Sequence, residues 1–158
     1  MYKKCLLIAA AVLSLSSCIV MIWDIAPVVV YKEVVNGEGQ NLFDEATPGN
    51  WLGETITAVF EDEEYIYPSS GPTRAYAPQM YGLTVSEYGE NIAVLYFGEL
   101  DGEESRESDL VISWPDGSED TITVKRIFRW KITGKPDGRT TLKLNGRKTG
   151  NPVRIVKK

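Results

Sequence analysis

The sequence contains no histidine and only two cysteines, and these absences exclude several kinds of site. Serine–histidine and cysteine–histidine catalytic arrangements need an imidazole as the general base. Zinc, copper and iron sites draw on histidine nitrogen and cysteine sulfur, so sites of that kind are nearly excluded as well. We therefore predict that the protein is not an enzyme and that it holds no metal ion and no cofactor.

Two alternatives that depend on carboxylates stay open. The acidic stretches at residues 99–104 and 116–120 could supply oxygen ligands to calcium, although neither has EF-hand spacing. Two carboxylates could also hydrolyse a glycoside. The chain has 22 acidic residues, so some of them will lie close together whatever the function, and their number alone indicates no site.

Cys18 follows a segment with the features of a secretion signal. Two lysines near the start precede an apolar run over residues 6–15, and two serines then lead to Cys18. The sequence Leu-Ser-Ser-Cys resembles the lipobox of bacterial lipoproteins, in which the signal is cut before the cysteine and the thiol receives a diacylglyceryl group. A thiol is the side chain best suited to such alkylation. We expect residues 1–17 to be a signal peptide that is removed, and Cys18 to carry lipid.

This interpretation fixes the expected domain organisation. Residues 18–23 would be the lipidated cysteine and a short apolar tether, with a reach of roughly 20 Å when extended. Residues 24–158 would form a single domain. The alternative is a retained transmembrane helix over residues 5–23. Either reading predicts a domain outside the inner membrane.

The residues around Cys18 also indicate a location. No aspartate follows Cys18 directly, so the inner-membrane retention signal known from some bacteria is missing, and no acidic run follows that would indicate surface export. We expect an outer-membrane lipoprotein of the cell envelope that faces the periplasm, and surface exposure remains open.

Short apolar runs separated by turn signals every 8–12 residues predict an all-β fold. The pattern favours an antiparallel immunoglobulin-like β-sandwich of about 7–8 strands, with a closed up-and-down barrel as the alternative. The clearest strand spans residues 121–133, and period two predicts that its buried face carries Ile122, Val124, Phe128, Trp130 and Ile132. Arg126 and Ile127 break this alternation, which predicts a bulge.

Residues 24–65, from "DIAPVVVYKEVVNGEGQ" to "ITAVFEDEEY", carry a resemblance. They are similar to the opening of small cell-envelope lipoproteins of Bacteroidetes, which place Asp-Ile-x-Pro directly after the lipobox. A Val-rich strand, Asn-Leu-Phe-Asp, Thr-Pro and Ile-Thr-Ala follow in the same order, and Leu144-Asn145-Gly146 also fits. The resemblance implies an immunoglobulin-like fold and an envelope location. It implies no catalytic residue, because none is established for these lipoproteins.

Charge is unevenly distributed along the chain. Residues 18–110 carry 18 acidic and 3 basic side chains, whereas residues 111–158 carry 4 acidic and 12 basic ones. We predict a basic face at Lys125, Arg129, Lys131 and Lys143, which could meet an anionic envelope lipid or glycan. Alternatively, acidic and basic strands lie side by side and neutralise each other. Nucleic acid is not an expected partner, because the protein is acidic overall.

Aromatic residues flank a proline-rich stretch at residues 68–79. Loops on rigid scaffolds often bind ligands, and tyrosine offers a large contact area at low entropic cost. The candidate binding residues are Trp51, Tyr65, Tyr67, Tyr76 and Tyr81, and the alternative is that they only pack the sheets. The function predicted from the sequence is that of a non-enzymatic binding module for a glycan or an envelope protein. The alternative is a structural or assembly subunit, such as an adhesin or fimbria-associated component. The oligomeric state stays open.

Overall fold

The structure, a computed structural model, describes residues 25–68 and 82–158 and forms a β-sandwich of two sheets. This part of the chain contains ten strands and no helix, so it also holds no helix able to cross a membrane. The strands are β1 Val28–Val35, β2 Ile56–Phe60, β3 Glu63–Tyr67, β4 Leu83–Tyr88, β5 Ile92–Leu100, β6 Arg106–Ser113, β7 Glu119–Trp130, β8 Pro136–Leu144, β9 Arg147–Thr149 and β10 Val153–Val156.

One sheet has the order β10-β1-β5-β4, and the other has the order β3-β2-β6-β7-β8-β9. The all-β prediction is confirmed, and the two separate sheets match the sandwich rather than the barrel. Two details of the prediction are wrong. The described residues form ten strands instead of the expected 7–8, and among them β10 runs parallel to β1, while every other pairing is antiparallel.

The interior is built from alternate residues of both sheets. In β2 the alternate side chains Ile56, Ala58 and Phe60 are all buried, as the period of two along a strand requires. They pack in one cluster with residues of the opposite sheet, among them Leu95 and Phe97 of β5. Burial of this apolar surface is the main source of the fold's stability.

Strand β1 places a lysine in this interior. Pro27 directly precedes the strand, a position that proline tolerates because it needs no ladder hydrogen bond there, and β1 lies between β10 and β5 inside its sheet. Val30, Lys32 and Val34 share the inward face and are fully buried. Nζ of Lys32 has no hydrogen-bond partner among the described residues, and it lies 5.7 Å from the centroid of Phe97.

Strand β5 is apolar on both faces, although only one face of a sandwich sheet meets the core. Its outward residue Val94 is fully buried. The ring of Tyr31 on β1 lies 4.7 Å from that of Tyr88 on β4 and 6.4 Å from that of Tyr96. In the strand register Tyr31 is opposite Tyr96 and Tyr88 is opposite Ile92, so Val94 lies between these two pairs. Aromatic side chains of three strands therefore cover Val94 on the outer face of the sheet.

A buried polar network joins the two sheets at one end of the sandwich. Asp120 of β7 accepts hydrogen bonds from Trp114 Nε1 at 2.8 Å, from Asn145 Nδ2 at 2.7 Å and from Lys157 Nζ at 2.7 Å. Lys157 follows β10 in the other sheet, and its Nζ also lies 4.9 Å from the Trp114 ring and donates to Ser118 Oγ. Both oxygens of the Asp120 carboxylate are therefore satisfied, which a buried charge requires. We call this end of the molecule the far end.

Candidate functional site

The last part of β7 and the first part of β8 extend beyond the rest of their sheet. Pairing between β6 and β7 stops at Arg126, whereas pairing between β7 and β8 continues to Trp130 and Pro136. Beyond Arg126, the side chain of Ser105, just before β6, still bonds to β7: its Oγ accepts a hydrogen bond from Phe128 N and donates one to Phe128 O. Residues 127–139 thus form a two-stranded projection, which we call the hairpin arm.

The pairing of β7 is regular along its whole length. The register with β6 and with β8 shows no shift at Arg126 or Ile127, so the predicted bulge is wrong. Arg126 stays on the inward face, where its Nε and Nη2 donate to the carbonyl oxygen of Gly102 at 3.1 and 2.9 Å, and Nη1 donates to Thr140 Oγ1. A polar residue therefore stands at this inward position, where it joins Gly102 and Thr140 at the base of the hairpin arm.

The hairpin arm exposes large apolar side chains. Trp130 is 53% exposed, Ile127 is 51% exposed and Ile132 at the tip is fully exposed. Trp130 contacts Phe128 edge to face, with ring centroids 5.5 Å apart. The prediction that Trp130 and Ile132 belong to the buried face is therefore wrong, because the hairpin arm projects past the core that buries Ile122 and Val124.

Cations outnumber anions on the hairpin arm. Asp137 is its sole acidic residue, and it pairs with Arg129 at 3.0 Å and with Lys131 at 3.9 Å. The hydrogen bond from Arg129 lowers the pKa of Asp137, although desolvation opposes the shift. Lys135 and Arg139 form no ion pair with any described residue, so the hairpin arm keeps a positive surplus beside its apolar side chains.

The predicted basic face is brought together on the outer surface of β7 and β8 and at the adjoining tip. Lys125 and Arg129 lie on the outward side of β7, Lys131 follows in the tip, and Lys143 lies on β8 opposite Thr123. Lys125 pairs with Glu107 of β6 at 2.8 Å, and its hydrogen bond lowers the pKa of Glu107. Part of the positive charge is thus neutralised by a neighbouring strand, as the alternative reading predicted.

A further pair of cations lies near the sheet edge, and one of them, Lys143, is close enough to Glu107 for its charge to help lower the pKa of that carboxyl. Lys143 of β8 lies directly opposite Lys148 of the edge strand β9. Neither lysine forms an ion pair within the described parts of the chain. Like charges directly opposite each other destabilise a sheet, so this lysine pair lowers the stability of the folded protein.

The aromatic candidates lie elsewhere, and those that the structure describes are partly buried. Trp51 stacks on Trp114 near the far end, with ring centroids 5.9 Å apart. Tyr65 contacts Phe97 edge to face at 5.0 Å, and the Tyr67 hydroxyl donates to the carbonyl oxygen of Leu52. Desolvation raises the pKa of Tyr67.

All three residues pack against the core and stay partly exposed, and the bond to Leu52 places Tyr67 next to Trp51. Tyr76, Tyr81 and Cys18 lie outside the described residues.

The base of the hairpin arm lies beside the first described residues of the chain. Gly102, which Arg126 binds, packs so closely on Ala26 that a methyl group added to Gly102 would overlap the Ala26 carbonyl oxygen. Val28 at the start of β1 pairs with Leu100 at the end of β5, which also places the start of β1 next to Gly102. The chain therefore enters the sandwich at the end from which the hairpin arm projects, opposite the far end.

An open cleft of about 490 Å³ adjoins this base, between the start of β1 and strands β8 and β9. Its polar lining includes Arg126, Thr140 and Asn151, and the hydrogen bonds of these side chains are directed within the protein. Within residues 25–68 and 82–158, no group of three or more histidine, cysteine, aspartate or glutamate residues could hold a metal ion.

Comparison with protein-family models, with curated proteins and with solved structures found no match for this chain. The class that the fold and the surface define is an all-β sandwich with a basic, aromatic hairpin arm.

Sequence reasoning found two of the four cations of this arm, Arg129 and Lys131, and missed Lys135 and Arg139. It assigned Phe128, Trp130 and Ile132 to the buried face. The signal that could have corrected this is strand length. The predicted strand over residues 121–133 is much longer than the neighbouring runs at residues 110–114 and 140–144 that could pair with it.

Proposed function

We propose that the protein is a lipid-anchored interaction module of the cell envelope, without catalytic activity, that binds an anionic partner through its basic face. The lipobox-like sequence at Cys18 supports the anchor. The observation that carries the binding function is the pair Lys143 and Lys148, two cations in direct cross-strand register with no ion-pair partner among the described residues. An anionic glycan or the acidic surface of an envelope protein would relieve their repulsion.

The alternative of an assembly subunit has less support in the geometry. Such a subunit would add a strand to an open sheet edge. Of the four edge strands β3, β4, β9 and β10, β9 has three residues, and β10 has four, is preceded by Pro152 and is followed by the exposed Lys158. Short edges flanked by proline and lysine are typical of sheets that resist strand addition.

The test is binding of the purified, full-length protein to envelope glycan and to detergent-solubilised envelope proteins. The double variant Lys143→Glu, Lys148→Glu should lose most of the binding and of its salt dependence. The control is Arg154→Glu, Lys158→Glu, which makes the same change in net charge away from the β8–β9 surface. Equal loss in both variants would show a nonspecific charge effect and would contradict the proposal.

A further inference from the structure

Four features of the hairpin arm, taken together, match the chemistry of a bilayer interface. The arm projects from the sheet, exposes Trp130 and Ile132, carries an excess of cations, and lies at the end where the chain enters the sandwich. Tryptophan is favoured at the level of lipid headgroups, and lysine and arginine reach phosphates while their stems stay on apolar surface. An acidic protein with a basic projection is attracted to an anionic surface most strongly when the projection faces that surface.

We infer that the hairpin arm inserts Trp130 and Ile132 into the headgroup region of the bilayer that holds the Cys18 lipid, with its cations on anionic phospholipid. The inference rests on the proposed anchor and names a partner for the arm, the part of the basic surface nearest that anchor. It adds a second, non-covalent membrane contact to the covalent one, and the two contacts together fix the orientation of the sandwich.

The distances permit both contacts at once. From Arg126 to Trp130 the strand advances by about 13 Å, at the usual rise per residue. The chain from Cys18 to Ile25 spans at most roughly 25 Å when extended. The tip of the hairpin arm can therefore reach the bilayer surface while Cys18 stays anchored in it.

Charge and apolar area have separate roles in this contact. Each lysine or arginine near an anionic surface strengthens attraction by about fivefold, and this attraction is screened by salt. Trp130 and Ile132 add apolar burial, which salt does not screen. Lys131 and Lys135 face each other across the turn that follows Trp130, so both contributions act at the tip, whereas Arg139 lies opposite Ile127 at the base of the arm.

The experiment measures quenching of tryptophan fluorescence by brominated lipid. Acylated protein is inserted into vesicles of equal parts phosphatidylglycerol and phosphatidylcholine, brominated near the headgroup, and into vesicles of phosphatidylcholine alone. Every variant, including the parent protein, carries Trp23→Phe, because the tether beside the Cys18 lipid would otherwise contribute a quenched tryptophan of its own. We expect a quenched component in the anionic vesicles that disappears in Trp130→Phe and persists in Trp51→Phe. The variant Lys131→Glu, Lys135→Glu should lose it as well, whereas Arg154→Glu should retain it.

Each outcome bears on the inference. Equal quenching of the parent protein and Trp130→Phe, or equal quenching of Trp130 in neutral and anionic vesicles, would overturn it. Protection of Trp130 by a soluble glycan or an envelope protein, with no quenching by lipid, would overturn it while leaving the proposed binding function intact. An intact-mass measurement on the same sample reports acylation separately, so failure of the anchor is distinguished from failure of the membrane contact.

Discussion

At the scale of single residues, the clearest anomaly is a lysine in the middle of an apolar strand face. Lys32 is fully buried between Val30 and Val34, and desolvation lowers its pKa well below the ordinary value of 10.5. An amine in this position gives up hydration without gaining a hydrogen bond from any described residue. It is therefore a stability cost that the rest of the core must offset.

Lys32→Met should stabilise the protein. Removing an unpartnered buried polar group is expected to raise the free energy of unfolding by about 1–3 kcal/mol at neutral pH. Because the folded-state pKa is depressed, the unfolded state binds more protons below pH 10.5, so wild-type stability falls as the pH drops through that range.

The stabilisation should therefore shrink as the pH approaches and exceeds 10.5. Urea unfolding at neutral and alkaline pH measures it. Lys125→Met, at an exposed position, is the control, and a Lys32→Met protein that is less stable than the wild type would contradict this account.

Asp120, in contrast to Lys32, stabilises the folded protein, because both oxygens of its buried carboxylate accept hydrogen bonds. Asp120→Asn leaves the Lys157 ammonium buried without its anion, and the expected loss is about 3 kcal/mol in the free energy of unfolding. Asp109→Asn makes the same chemical change at an exposed position of β6 and should be nearly neutral. Equal losses for the two variants, measured by thermal or urea unfolding, would show that the network does not join the sheets.

At the scale of elements, the base of the hairpin arm depends on the close approach of two chain segments. Gly102→Ala would force the Ala26 carbonyl away and disturb the hydrogen bonds from Arg126, at a cost of about 1–3 kcal/mol. Gly53→Ala is the control, since a methyl group there meets nothing within 4 Å. Urea unfolding of both variants tests this contact, and a neutral Gly102→Ala would argue against it.

The hairpin arm itself should contribute little to folding stability. Ile132→Ala changes only exposed surface and should shift the free energy of unfolding by less than about 0.5 kcal/mol. Ile122→Ala, on the same alternating face but within the core, should cost about 2–5 kcal/mol. Similar losses in the two variants would mean that the tip is packed and would contradict a role in partner contact.

The sequence predicted most of the elements because alternation and turn chemistry are local. The inward residues of β2 and the Asn145-Gly146 turn follow directly from the pattern, and both residues of that turn have positive φ. Packing across the sandwich is not local. The parallel pairing of β10 with β1, the burial of Lys32 and the exposure of Trp130 all depend on which strands become neighbours and where each neighbour ends.

At the scale of the whole molecule, the two ends of the sandwich differ. One end carries the polar network around Asp120, with Trp51 stacked on Trp114 nearby. At the other end lie the first described residues of the chain and the base of the hairpin arm. A lipid at Cys18 would place that second end at the membrane and direct the far end away from it.

The basic face was predictable because charge surplus is visible in the sequence, whereas its orientation relative to the anchor was not. Lys125 and Arg129 are recognised by their period of two along one strand. Their relation to Ala26 arises only when β1, β5 and β7 are assembled. The candidate site thus combines a local pattern with an arrangement that only the fold supplies.

The anchor at Cys18 is the claim on which the orientation of the molecule depends, and intact-mass analysis tests it most directly. The protein is extracted from the membranes of cells that produce it and is weighed without digestion. We predict a polypeptide that begins at Cys18 and carries the added mass of two or three acyl chains. A polypeptide that begins at Met1, or one that begins at Cys18 without acyl mass, would contradict the account.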